Sequence, residues 1–102
     1  MSAHVCHAPG CTRQIPPHLF ACHTHWRLVP LWLQTWLLRE YRPGQEHDKR
    51  PSARYCAVQA RCRLALARIE KRDEATIRLD LLRWCTVADL TEAETDRLWE
   101  GL

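Results

Sequence analysis

The sequence predicts a mainly α fold: a small N-terminal zinc finger of treble-clef-like form followed by three to four packed helices. Two observations carry this. Cysteine and histidine are spaced as metal ligands within the first 26 residues, and apolar residues then recur at helical spacing almost to the end of the chain. A third agrees with them: no glycine or proline interrupts residues 52–86. At 102 residues, 46% of them hydrophobic, the chain suits one globular domain with a modest core. A metal staple is the expected supplement for so small a core. We divide the single domain 1–102 into a zinc-binding unit, 1–29, and a helical part, 30–102.

The metal unit reads Cys6-x(4)-Cys11-x(10)-Cys22-x(2)-His25. Structural zinc takes four thiolate or imidazole ligands from two short loops. Pro9-Gly10 supplies a tight turn that lets Cys6 and Cys11 converge. Cys22 and His25 are three apart, so one helical turn sets them on the same side. His25 is favoured over His23 and His7 as fourth ligand, because a histidine adjacent to a ligand cysteine suits this geometry less well. The competing reading of six cysteines is a disulfide framework. No secretory apolar run occurs in residues 1–25, which points to a reducing compartment and to thiols as ligands. One structural zinc per chain is therefore expected. A water-activating catalytic zinc would want a nearby general base, and no Asp or Glu occurs in residues 1–39.

The elements follow in order. Ile15-Pro16-Pro17 carries an extended connection, and Leu19-Phe20 leads into Cys22 as a short strand or hairpin arm. Trp26 is expected to pack over the metal site. Pro30 opens a helix through Tyr41 whose apolar residues, Trp32 to Leu38, demand burial on more than one side or a partner. Arg42-Pro43-Gly44 ends it, and residues 42–51 form a polar loop. Ser52 caps the next helix, with Tyr55, Val58, Cys62, Ala65, Leu66 and Ile69 on its buried face. Basic Lys71-Arg72 followed by acidic Asp73-Glu74 marks a turn between two helices. Ile77, Leu81, Trp84 and Cys85 line the face of the helix after it, with Leu79 and Leu82 broadening that face. Thr91 with Glu94 forms a capping box for a last short helix, docked by Leu98 and Trp99. Cys56, Cys62 and Cys85 read as small packed residues rather than ligands.

Net charge is +3, unevenly spread. Residues 1–63 hold nine Lys or Arg against three acids, whereas residues 89–102 hold one against five. A basic body with an acidic tail can steer toward an anionic surface. Arg54, Arg61 and Arg68 recur every seven residues off the apolar face and, with Lys49 and Arg50 of the polar loop, are the candidate partner-binding residues. No phosphate-binding glycine loop or nucleophile elbow occurs, and asparagine is absent altogether, so an HNH-type nuclease set is missing. A non-enzymatic role is expected. No apolar run reaches membrane-spanning length, so no membrane association is expected.

The run from Val5 through Gln45, with its C-x(4)-C knuckle, paired proline, C-x(2)-H-W and YRPGQ, resembles a group of short proteins encoded by bacteriophages and prophages. The likeness covers about residues 4–59, including PSARY at 51–55. It implies a phage accessory protein with zinc on Cys6, Cys11, Cys22 and His25, at work in the cytoplasm of a bacterial host. The expected function is binding and modulating or inhibiting a host or phage protein complex, such as one of host defence. The alternative is a nucleic-acid-binding regulator that sets arginines of residues 27–63 on phosphates. Surplus tryptophans and arginines favour the protein partner.

Overall fold

The computed structural model describes residues 4–102, so the first three residues of the 1–29 unit lie outside it. Among the described residues six helices follow one another: α1 (His23–Trp26), α2 (Leu31–Glu40), α3 (Gln45–Asp48), α4 (Ala53–Ile69), α5 (Ala75–Val87) and α6 (Glu92–Trp99). The mainly helical expectation holds, with four of them forming the body. The hairpin arm at Leu19-Phe20 does not form. Among the described residues the only β pairing is an isolated antiparallel bridge between Val5 and Gln14. The prolines at 16 and 17 remove the donors a longer ladder would need.

Local chemistry fixes most helix ends. The Ser52 side chain accepts from the Tyr55 N–H at the start of α4. Thr91 and Glu94 complete the reciprocal capping box of α6. The α4–α5 break is a Schellman turn: Arg72 N–H bonds to Ala67 O, Lys71 N–H bonds to Arg68 O, and Lys71 takes φ +56°. Lysine there is strained, since the left-handed position suits glycine. Part of the polar loop condenses into the single turn α3, whose left-handed entry is Gly44 at φ +90°.

Helix α4 is the centre of the molecule and packs most extensively on α5, then on α2. Ala57, Val58, Ala60, Cys62, Leu64, Leu66 and Ala67 are fully buried, so α4 is enclosed on nearly every side rather than along one stripe. The small alanines let neighbouring helices approach closely. Ile69, expected in the core, is 49% exposed because the chain leaves the packed region at that turn. The apolar helix α2 buries Leu33, Trp36 and Leu37 and leaves Leu31 75% and Leu38 64% exposed. Leu79 and Leu82 are likewise outward on α5. Leu98 anchors α6 with no exposure at all.

The three arginines of the expected partner stripe do not stand free. Arg54 forms ion pairs with Glu40 of α2 at 2.8 Å and Glu94 of α6 at 2.5 Å, and donates to Asp89 O. Arg61 is 9% exposed, donates to Leu98 O and lies 5.8 Å from the Trp32 ring centroid. Arg68 is exposed and donates to Gly101 O. The seven-residue repeat is a ladder that grips the acidic C-terminal segment. The Arg54 charge is answered by carboxylates within the chain, whereas Arg61 and Arg68 meet carbonyl oxygens. Lys49 and Arg50 do lie on the surface.

Candidate metal centre

The C-x(4)-C knuckle is built by backbone geometry. Cys11 N–H bonds to Ala8 O across Pro9-Gly10, and Gly10 has φ +80°, as the third position of a type II turn requires. Cys6 N–H bonds to Arg13 O and Ile15 N–H to His4 O, which closes the loop behind it. His7 N–H bonds to Phe20 O and ties this loop to the segment entering Cys22. Cys22 is the N-cap of α1, and Trp26 N–H bonds back to Cys22 O. One turn of helix therefore presents Cys22 and His25 together, as their spacing requires.

The ligating atoms of Cys6, Cys11, Cys22 and His25 all lie within 4.8 Å of one another. His25 Nδ1 is 3.2 Å from Cys22 Sγ and 3.6 Å from Cys6 Sγ. Tetrahedral zinc, with Zn–S about 2.3 Å and Zn–N about 2.0 Å, separates sulfur from nitrogen by about 3.5 Å. The separations of His25 Nδ1 from Cys22 and Cys6 are therefore close to those a tetrahedral ion imposes, and the remaining donor pairs lie within 4.8 Å. Cys6 and Cys22 are buried, and all six cysteines are free thiols. The cluster can bind a metal ion.

The protons of the site are unevenly held. Burial pushes the Cys6 thiol up to about 11, despite donation from the Cys22 and Ala8 backbone. Burial also opposes ionisation of Cys22, but the backbone N–H and the ring of His25 outweigh it and bring that thiol down to about 7. Desolvation disfavours charge on His25, and Glu70 and Cys22 overcome it, raising its pKa. A bound cation would displace the remaining thiol protons, because thiolate is the ligating form.

His7 and His23 are not part of the cluster. His7 Nδ1 lies 2.6 Å from Phe20 O, its ring stacks on Phe20, and burial lowers its pKa. His23 is exposed on the outer side of α1. Trp26, expected to pack over the metal site, meets Phe20 edge-on, with ring centroids 6.3 Å apart. Cys62 is fully buried, its thiol raised to about 12 by burial, and it lies outside the cluster with Cys56 and Cys85.

Sequence reading missed Glu70. Its two carboxylate oxygens each lie 3.2 Å from His25 Nε2. No spacing rule links positions 25 and 70, and only the packing of α4 against the metal unit joins them. The structure also opens two clefts beside α2. One, about 430 Å³, is lined by Phe20, Trp26, Leu37, Leu38, Tyr41 and Tyr55. The other, about 730 Å³ and more open, is lined by Leu31, Trp32, Trp36, Arg39 and Arg97. Among the described residues no helix is long and apolar enough to cross a membrane. No protein-family model, curated protein or solved structure matches the chain.

Proposed function

We propose that this chain is a zinc-stapled, non-catalytic interaction protein of the phage accessory type, which binds and modulates a host or phage protein complex. The observation that carries the zinc is the convergence of four protein donors on one centre. Three thiolates and an imidazole select zinc among common cellular ions. Four protein ligands also fill a tetrahedral shell, which suits a structural ion and leaves no position for an activated water. The phage assignment rests on the resemblance of the N-terminal half.

Support for a protein partner comes from α2. Leu31, Thr35 and Leu38 form an exposed ridge between the two clefts, with Trp32 half-buried beside it. Partly exposed aromatic and aliphatic residues beside concavities are the usual anchors of protein interfaces. The nucleic-acid reading has two fewer free cations in residues 27–63, because Arg54 and Arg61 are engaged within the chain.

Metal analysis of the purified protein should return one zinc per chain, and Cys11→Ser should abolish it. A wild type without metal sinks the zinc reading. Leu31→Glu/Leu38→Glu should keep its helicity and zinc and lose the protein captured by wild type from nuclease-treated host lysate. Unchanged capture removes α2 as the interface. Capture that vanishes with nuclease reinstates nucleic acid as the partner.

A further inference from the structure

We propose that the α4–α5 turn is the outer shell of the metal centre, with Glu70 as the residue that positions His25 for coordination through Nδ1. The inference rests on the metal reading above and goes beyond it by coupling the ion to the helical body.

The argument begins with the imidazole. Nδ1 faces the sulfurs of Cys22 and Cys6, whereas Nε2 faces both oxygens of Glu70. A neutral imidazole has one N–H and one lone pair. If Nδ1 is to give its lone pair to a metal, the proton must reside on Nε2. A carboxylate that accepts from Nε2–H selects that tautomer and fixes the ring plane.

Glu70 is placed by backbone rather than by chance of rotamer. It is the C-cap residue of α4, and the Schellman bonds from Lys71 and Arg72 lock the turn around it. The same turn also brings Arg72 to the site. A Cβ added to Gly10 would collide with the Arg72 guanidinium, so that side chain lies directly on the knuckle between Cys6 and Cys11. Arg72 Nε is also 4.0 Å from Glu70 Oε1. The two side chains thus touch both ligand-bearing loops. Zinc on three thiolates and one imidazole has a net charge of −1, and the Arg72 cation lies beside it. Metal loading and the seating of this turn are therefore one coupled event.

The test measures zinc affinity of the full chain by competition with a chromogenic chelator. Glu70→Ala should weaken zinc binding by about 10–100-fold. Glu70→Gln, whose amide oxygen still accepts from Nε2–H, should recover part of that loss. Glu74→Ala, which removes only the partner of Arg78, should match wild type. Nitrogen-15 spectra of the zinc-loaded protein give a readout that a merely structural role would not move. Wild type should show His25 metallated at Nδ1 and protonated at Nε2, and Glu70→Ala should show broadening from loss of a single ring orientation. Circular dichroism checks that each variant is folded. Glu70→Ala within twofold of wild type, or His25 coordinated through Nε2, overturns the inference while the zinc reading stands. A wild type that takes up no zinc overturns the zinc reading itself and is recognised before any variant is compared.

Discussion

Truncating Arg54 should detach the C-terminal helix. Arg54 joins three elements: Glu40 at the end of α2, Glu94 in the first turn of α6, and the Asp89 carbonyl before it. Side-chain exposure is 30% for Arg54, 14% for Glu40 and 25% for Glu94, so the network is neither fully solvated nor dry. An exposed ion pair contributes about 0–1 kcal/mol. A hydrogen bond to a charged group is worth about 1.5–3 kcal/mol. Arg54→Ala removes several such bonds and leaves two carboxylates facing each other, so a loss of about 2 kcal/mol is expected. For a domain of this size that corresponds to a fall in Tm of about 10 °C. Arg68→Ala removes one exposed bond to Gly101 O at 3.2 Å and should cost no more than about 0.5 kcal/mol. Arg61→Met should fall between them, since Arg61 Nη1 has no hydrogen-bond partner and burial opposes its charge. Thermal unfolding followed by circular dichroism ranks the three, and amide exchange should show residues 92–99 losing protection first in Arg54→Ala. Equal effects of Arg54→Ala and Arg68→Ala would refute the ladder as the grip on α6.

Leu98→Ala should destabilise by about 2–5 kcal/mol, because Leu98 is wholly enclosed and is the one fully buried side chain of α6; chemical denaturation measures it. Lys71→Gly should raise stability by up to about 1 kcal/mol by relieving the left-handed lysine, and a lower Tm would contradict the strain assigned to that turn. On acidification, Arg54 holds the Glu94 carboxyl down at about 2 and lowers Glu40 as well. These depressed groups stabilise the fold fully above their ordinary pKa, about 4.5, and the contribution disappears as pH falls from there toward 2; the Glu94 part amounts to at most about 3 kcal/mol before solvent screening. A pH titration of Tm should show that loss in wild type and a smaller one in Glu94→Gln. Chelation of the metal should unfold the knuckle and α1 while α4 and α5 keep helicity, read as a partial drop in the helical circular dichroism signal. A spectrum and melting curve that do not change would make the ion incidental.

Local chemistry made much of this molecule legible from residues alone. The ligand quartet could be read because its members lie close in sequence and each pair needs only one turn to converge. The Ser52 and Thr91 caps and the break after Lys71 were readable for the same reason, since every group involved lies within five residues. What failed to read were relations across the chain. A heptad of arginines looks alike whether it faces water or an acidic helix, and only packing placed α6 upon it. Ile69 has helical phase with the core but lies beyond the last enclosed turn. Hydrophobicity singled out α2 as the helix to enclose, yet alanine-rich α4 holds the centre, because small side chains permit close approach on several sides. Glu70 and Arg72 carry no local signal of their contacts, as their partners His25 and Gly10 stand 45 and 62 residues away. The sequence by itself determined the four candidate metal ligands and most helix boundaries, which depend on short-range backbone geometry. Only the tertiary structure decided which charges are answered internally and which side chains stand beside the candidate metal site, because those depend on where distant helices meet.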